Sequence, residues 1–191
     1  MAILLRDAFR NRGAQVQVPL FSSSVLQNFR CVKMSRGLII ARTLGEAYSL
    51  RASATLLDLS QSADLVCVNV MCASLGGACA CRLAQSLSRM EVLSELDVSG
   101  NKLTVLPDAV FELRGLRRLS AARNGLTGLP ETLVQAADLR HLDVRDNLFI
   151  KLPLRILAAL PSLECIDARG NPLGNEAADE ARQALGRKML L

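Results

Sequence analysis

The sequence predicts an α/β solenoid, in which short parallel strands and helical segments alternate along stacked coils. The main observation is one pattern that occurs four times between Leu93 and Leu173. The copies begin at Leu93, Leu116, Leu139 and Leu163, so they are 23, 23 and 24 residues apart. A fixed period of this length is typical of proteins whose coils contact only their neighbours. A helical pattern at residues 174–191 predicts a cap on the last coil.

Each copy follows the pattern L-x-x-L-x-L-x-x-N-x-L, whose positions we number as places 1 to 11. The third apolar position, place 6, is occupied by Val or Ala. Alternation of apolar residues at places 4 and 6 indicates a short strand. One such strand cannot form a sheet alone, but stacked copies can pair in parallel and merge their apolar residues into one core.

An asparagine stands at place 9 of every copy: Asn101, Asn124, Asn147 and Asn171. Its side-chain amide both donates and accepts hydrogen bonds, so it can satisfy backbone groups in its own coil and in the next. A buried backbone group left without a partner costs about 1–3 kcal/mol. We therefore predict a ladder of structural asparagines at the turns that follow the strands.

These residues resemble the leucine-rich repeat family. Three copies continue to a Leu-Pro pair, as in the short typical repeats of that family: Leu106–Pro107, Leu129–Pro130 and Leu152–Pro153. The resemblance implies a right-handed solenoid with a concave parallel β-sheet, and we expect about five coils. It also implies that the protein binds other proteins, which is the usual role of the family.

Composition narrows the class of protein. The 191 residues are 50% hydrophobic but only 3% aromatic, which suits stacked repeats better than an enzyme with a shaped pocket. The six cysteines form no C-x-x-C pair and the only histidine is His141, so the paired spacing of a zinc site is missing. We expect no catalytic site, no metal, no cofactor and buried, reduced cysteines. The uncharged stretch Leu65–Cys81 is too short for a membrane span.

The net charge of +5 comes from the N-terminal part of the chain, since residues 51–191 hold sixteen basic and sixteen acidic side chains. Residues 1–24 are predicted to be a basic arm with Arg6, Arg10 and Arg12. Its first twelve residues fit either an anchor helix or a mitochondrial presequence. The arm's candidate partners are an acidic protein groove, the acidic surface of tubulin or RNA phosphates.

The pattern weakens before the four copies. Residues 25–64 are predicted to form a degenerate cap coil, with a helix over Gly37–Leu59. The repeats are expected to span residues 65–173, with the strand of a fifth copy in Leu65–Leu75. The following segment, Leu75–Leu87, is predicted to be helical and resembles the longer ribonuclease-inhibitor-like repeat class.

The last eighteen residues are expected to end the array. A helix is predicted over Asn175–Leu190, with Asn175 as its N-cap. Acidic residues lie early in this segment and basic residues late, which complements the helix dipole. No further asparagine follows at place 9, so we expect the sheet to end with the fourth copy.

The register assigns charged side chains to the expected concave face. From Leu93 onward, places 2, 3, 5, 7 and 8 carry six acidic residues and six arginines. A nucleic-acid or membrane surface should be basic or apolar, whereas this mixture suits a charged protein partner. The alternative to partner binding is that neighbouring arginines and acidic residues pair with each other on a solvent-exposed face. The candidate partner-binding residues are Asp97, Arg117, Arg118, Arg123, Arg140, His141, Asp143 and Arg145, among which we favour Arg117, Arg118 and Arg140.

These observations predict a non-catalytic interaction subunit or adaptor of a larger intracellular assembly. It would bind through the concave face and the basic arm. The alternatives are a regulator or inhibitor of an enzyme, and an RNA-binding subunit of a ribonucleoprotein held by residues 1–50. We expect a cytoplasmic or cytoskeletal location, with the mitochondrion as the alternative.

Overall fold

The computed structural model describes residues 39–50, 52–65 and 80–191 of the chain. These residues fall within one compact unit, Gly37–Leu191. The predicted arm, including Arg6, Arg10 and Arg12, lies outside the described residues, as does most of the predicted fifth copy.

Seven strands alternate with helical segments along the described part of the chain. In order, the strands and α-helices are β1 (Ile40–Ala41), α1 (Leu44–Ser49), β2 (Leu56–Asp58), α2 (Ala80–Leu87), β3 (Glu95–Asp97), β4 (Arg118–Ser120), β5 (His141–Asp143), α3 (Leu154–Ala159), β6 (Cys165–Asp167), α4 (Asn175–Leu185) and β7 (Met189–Leu190). Short 3-10 helices lie at Ala63–Leu65, Asp108–Val110, Glu131–Gln135 and Gly186–Lys188. Within the described ranges, no helix is both long and apolar enough to span a bilayer.

All seven strands form one parallel sheet in the order of the sequence, β1 to β7. The place 4 residues of the four copies are direct neighbours across it: Leu96, Leu119, Leu142 and Ile166. Each is at most 2% exposed, so they form the centre of the core. The predicted α/β solenoid and the register of its repeats are therefore confirmed.

The helical segments between the strands close the other side of the core. Val110, Leu133 and Leu157 are fully buried and belong to the same apolar cluster as the strand leucines. The segments at Asp108–Val110 and Glu131–Gln135 each begin after a proline, whose fixed backbone angle favours a helical start and whose missing N–H group needs no partner there.

The asparagine ladder joins each coil to the one before it. The Asn124 amide nitrogen donates to the carbonyl oxygens of Ala121 and Val98, each at 3.0 Å. Its oxygen accepts from the backbone nitrogen of Leu103 at 2.9 Å. Asn147 repeats this pattern one coil later. The ladder is therefore confirmed. We had expected each asparagine to bond its own coil and the next one, but the second coil that it bonds is the preceding one.

The N-terminal part of the sheet differs from the prediction. The expected helix over Gly37–Leu59 is confined to α1, and the segment also holds β1 and β2. Strand β2 pairs directly with β3, in the position that we expected Leu65–Leu75 to fill. Leu65 itself lies in a 3-10 helix. The assignment was wrong because the alternation of buried residues at Leu57 and Leu59 was included in the preceding helical pattern.

The C-terminal segment also departs from the prediction. Helix α4 ends at Leu185, and Gly186 leaves it with a positive φ of 53°, a conformation that favours glycine. The chain then forms β7, which pairs with β6 and extends the sheet beyond the fourth copy. The N-cap of α4 is Gly174, and Asn175 is the first residue of the helix. The expectation that the sheet ends at the fourth copy was therefore wrong.

Replacing Asn147 with alanine should lower the free energy of unfolding by about 2–4 kcal/mol, because several buried backbone groups would lose their partners. Urea unfolding followed by circular dichroism measures this change. Leu148→Ala is the matched control, since Leu148 follows directly in the chain and is 54% exposed. Equal midpoints for the two variants would contradict the structural role of the ladder.

Candidate partner-binding surface

The open face of the sheet is formed by the strand side chains that alternate with the buried core residues. On β4, for example, Leu119 points into the core and Arg118 lies on the opposite side. We use the name open face for places 2, 3, 5, 7 and 8 of each coil. This is the face that the repeat register predicted to bind a partner.

Two arginine–aspartate pairs cover the open face at β5 and β6. Arg145 reaches both oxygens of Asp143, at 3.0 Å from Nε and 2.7 Å from Nη2. Arg169 meets Asp167 in the same way, at 2.9 and 2.6 Å. Both carboxylates are buried beneath their arginines. The hydrogen bonds to Asp143 raise the pKa of Arg145, so these four charges stabilise the sheet internally.

A third pair lies at the start of the same strands. Arg140 Nη1 is 3.1 Å from Glu164 Oε1, and both side chains are about half exposed. His141 Nε2 is 3.8 Å from the other oxygen of Glu164, which is too long for a hydrogen bond. Burial lowers the pKa of His141, and the positive charge of Arg118 lowers it further, while Glu164 acts in the opposite direction. The imidazole is therefore neutral at neutral pH.

The coil of β4 carries arginines of a different kind. Arg117 and Arg123 are exposed and Arg118 is partly exposed. None of the three forms an ion pair with any residue that the structure describes, whereas Arg140, Arg145 and Arg169 all do. Mutual pairing thus explains the arginines of β5 and β6 but leaves those of β4 available for another molecule.

The coils of β2 and β3 carry carboxylates without arginines. Asp58 and Asp97 stand at place 5, as Asp143 does, but place 7 is occupied by Ser60 and Ser99. The backbone nitrogen of Ser99 donates to Asp97 Oδ1 at 2.8 Å. Burial raises the pKa of Asp97; hydrogen bonds from Ser99 oppose this rise and the charge of Asp58 adds to it. No ion pair of Asp97 exists within the described ranges.

Place 8 adopts a left-handed backbone conformation in five successive coils. Two of these residues are glycines, Gly100 and Gly170, with φ of 70° and 73°. The others are Gln61, Arg123 and Asp146, with φ between 50° and 54°. A side chain in this conformation costs about 1–2 kcal/mol. Arg123 therefore keeps its side chain where glycine would be less strained.

The structure places the predicted residues on one face, where some of them form ion pairs with each other and others form none among the described residues. Arg117, Arg118 and Arg123 stand apart from the paired residues, and Arg140, one of the three favoured arginines, belongs to the paired group. Asp143 belongs to the paired group as well, since it contacts Arg145.

Sequence reasoning missed two features of the open face. Asp58 was missed because β2 was assigned to a helix, although its place in an alternating segment was the available signal. Cys165 at place 3 is the register neighbour of His141 and is partly exposed. Since Cys81 is also exposed, the expectation of buried cysteines was wrong for both of these residues.

Comparison with known proteins agrees with this geometry. Residues 91–149, which contain the copies that begin at Leu93, Leu116 and Leu139, match the family model described as "Leucine rich repeat". Residues 91–149 are leucine-rich repeats. Within these residues, the stacked strands β3 to β5 and the asparagines Asn101, Asn124 and Asn147 are thus the framework of a leucine-rich repeat region.

A solved structure extends the likeness beyond the matched residues. A leucine-rich repeat protein of Leptospira interrogans aligns with a TM-score of 0.57 at 22% sequence identity. The alignment covers 84% of this chain and 36% of that one, so this chain spans about a third of its length. At this identity the likeness concerns the leucine-rich repeat fold. No sequence among the curated proteins matches the chain.

Asp97→Asn should stabilise the protein at neutral pH. The folded state raises the pKa of Asp97, so ionisation of this carboxyl destabilises the fold as the pH rises through its folded pKa. The advantage of the variant should disappear below the ordinary value of 3.8, where the carboxyl is protonated in both states. Thermal unfolding across this pH range measures the difference.

Asp143→Asn is the matched comparison for that experiment. Arg145 would lose its bidentate carboxylate, so this variant should lose about 1–3 kcal/mol at neutral pH. A stabilised Asp143→Asn, or a destabilised Asp97→Asn, would contradict the division of the open face into paired and unpaired charges.

His141 offers a direct probe of charge on the open face, because it is the only histidine in the chain. Its pKa, measured from the imidazole proton resonances, should lie below 6.5. Arg118→Ala should raise this pKa, since it removes a nearby positive charge, and Glu164→Gln should lower it. If the pKa of His141 is the same in Arg118→Ala and in the native chain, Arg118 does not lie close to the imidazole as described.

Proposed function

We propose that this chain is a non-catalytic protein-binding subunit or adaptor that contacts its partner through the open face of the sheet. The observation that supports the proposal is the unequal pairing of the arginines. Arg117, Arg118 and Arg123 carry full charges on one coil without a carboxylate among the described residues, while the neighbouring arginines are neutralised. Arginines of this kind are frequent among residues that dominate protein interfaces.

The charge distribution favours a protein over a nucleic acid at this face. A phosphate backbone is bound by surfaces with net positive charge. Here the basic coil of β4 lies beside Glu95 and Asp97 on β3, and Asp58 follows on β2. A polyanion on Arg118 would meet these acidic side chains. Charged groups of both signs, in contrast, set the register and exclude incorrect partners in protein interfaces.

The predicted arm and the larger assembly are separate parts of the proposal. Arg6, Arg10 and Arg12 would add a second contact, to a partner protein or to RNA, but they lie outside the described residues. The family relationship supports protein binding in general. The identity of the partner, the intracellular location and the role of the arm are predictions that rest on the sequence.

Site-specific photo-crosslinking in the native cells tests the proposed face. A photoreactive residue at position 164 lies on the open face, since Glu164 is 54% exposed at place 2 of its coil. The same residue at position 134 replaces Val134, which is 57% exposed in the segment Glu131–Gln135 on the other side of the core. We expect one stoichiometric protein adduct from position 164 and none from position 134. The reverse result would exclude the open face as the binding surface.

A further inference from the structure

We infer that the open face binds a protein segment whose charges are separated, with basic side chains over β2 and β3 and acidic side chains over β4. This inference rests on the proposed function, because it names the chemistry of the partner for the same surface. It follows from the charges that remain after the internal pairs of β5 and β6 are set aside. On the coils of β2 to β4 those charges are Asp58, Glu95, Asp97, Arg117, Arg118 and Arg123; on the coil of β5 the exposed Asp146 also remains, and its charge acts on Arg169.

The acidic half of the surface is incomplete by comparison with the other coils. At β5 and β6 the place 5 carboxylate accepts two hydrogen bonds from an arginine at place 7. At β2 the corresponding donors come from Ser60, whose backbone nitrogen and hydroxyl lie 3.1 and 2.7 Å from Asp58 Oδ1. Serine supplies hydrogen bonds but no positive charge. A guanidinium or ammonium group of a partner would provide at β2 and β3 what Arg145 provides at β5.

The basic half runs along one coil. Arg118 lies on β4, and Arg117 and Arg123 stand before and after it. Neighbouring strands are about 4.8 Å apart. The two halves are thus adjacent stripes, one acidic and one basic. An occupant of one sign would be attracted by one stripe and repelled by the other, whereas a charge-separated segment is attracted by both.

Arg123 adopts the left-handed backbone of place 8, as Gln61 and Asp146 do in the coils of β2 and β5. Gly100 and Gly170 occupy the same place in other coils. At Gly170 an added Cβ would overlap Asp146 Oδ1, so glycine is required there. In the coil of β4 the same place holds Arg123. The Arg123 side chain is exposed and forms no ion pair among the described residues, so its charge is available to a partner.

Synthetic peptides test the inference with the chain of 191 residues. The probe is a fluorescein-labelled peptide with arginines in one half and glutamates in the other. The controls are a peptide of the same composition with alternating charges, an all-glutamate peptide and a short single-stranded RNA. Fluorescence anisotropy at near-physiological salt gives each Kd. We expect the charge-separated peptide to bind at least about tenfold more tightly than each of the other three ligands.

Two triple variants locate the site. Arg117→Gln/Arg118→Gln/Arg123→Gly should weaken binding of the charge-separated peptide at least about tenfold. Arg114→Gln/Lys151→Gln/Arg155→Gln removes the same charge from exposed residues outside the open face and should bind as the native chain does. The single variant Arg123→Gly should unfold at a higher urea concentration than the native chain and still bind more weakly. That combination separates a binding role from a structural one.

The imidazole of His141 reports where the peptide lies. Arg118 lowers the pKa of His141, so a glutamate placed on Arg118 should raise it when the peptide is bound. Arg140 and Glu164 also face this imidazole, and Arg140→Gln should leave the rise on binding intact. A peptide bound elsewhere would not change the titration.

Several outcomes would overturn the inference. Equal binding of separated and alternating peptides, or tightest binding of the all-glutamate peptide or the RNA, would show that charge separation is not recognised. If position 164 still crosslinks to a protein in cells, the proposed function stands and only the charge-separated partner is wrong. If position 164 captures nothing and no peptide binds, both proposals fail.

Discussion

The hydrogen bonds of the place 9 asparagines are the constraint on which this structure depends. Each described coil has a strand of only two or three residues, which cannot hold its own register. The asparagine fixes that register because a single amide bonds its own turn and the turn of the preceding coil. Once the turns are aligned, the place 4 residues stack in the core and the charged residues are forced onto the open face. The electrostatic pattern of the surface is therefore a consequence of buried hydrogen bonding.

The open face combines two ways of accommodating charge. In the coils of β5 and β6, arginine and aspartate satisfy each other so closely that the carboxylates are buried. In the coils of β2 to β4, basic and acidic side chains occupy separate strands and do not satisfy each other among the described residues. The first arrangement increases the stability of the sheet, and the second leaves the surface able to recognise another molecule. Both arise within the same repeat by changes at places 2, 3, 5, 7 and 8.

Much of the fold was predictable because the four copies share a pattern that only one stacking satisfies. The leucines at place 4 and the asparagines at place 9 specified the sheet, its register and its polar ladder. The ends were less predictable, since terminal coils keep the alternation of buried residues but lose the asparagine. Ser62 stands at place 9 after β2, so this coil lacked the signal that identifies the others. Likewise, Gly186 could be recognised as a helix end, but β7 after it is only two residues long.

For the surface, the sequence indicated which side chains share a face but not which of them pair. Pairing depends on side-chain reach between coils. Arg140 contacts Glu164 at place 2 of the next coil, whereas Arg117 forms no ion pair among the described residues. The ladder has a further consequence for how such a face can change. Because every asparagine offers its neighbours equivalent bonds, a whole coil inserted between β3 and β4 would keep the ladder continuous. Duplication of one repeat would then move the acidic and basic stripes apart by about 4.8 Å, without altering a residue in either. The spacing between neighbouring strands is thus the step by which inserting a coil, in evolution or in design, changes the distance between the two charged stripes.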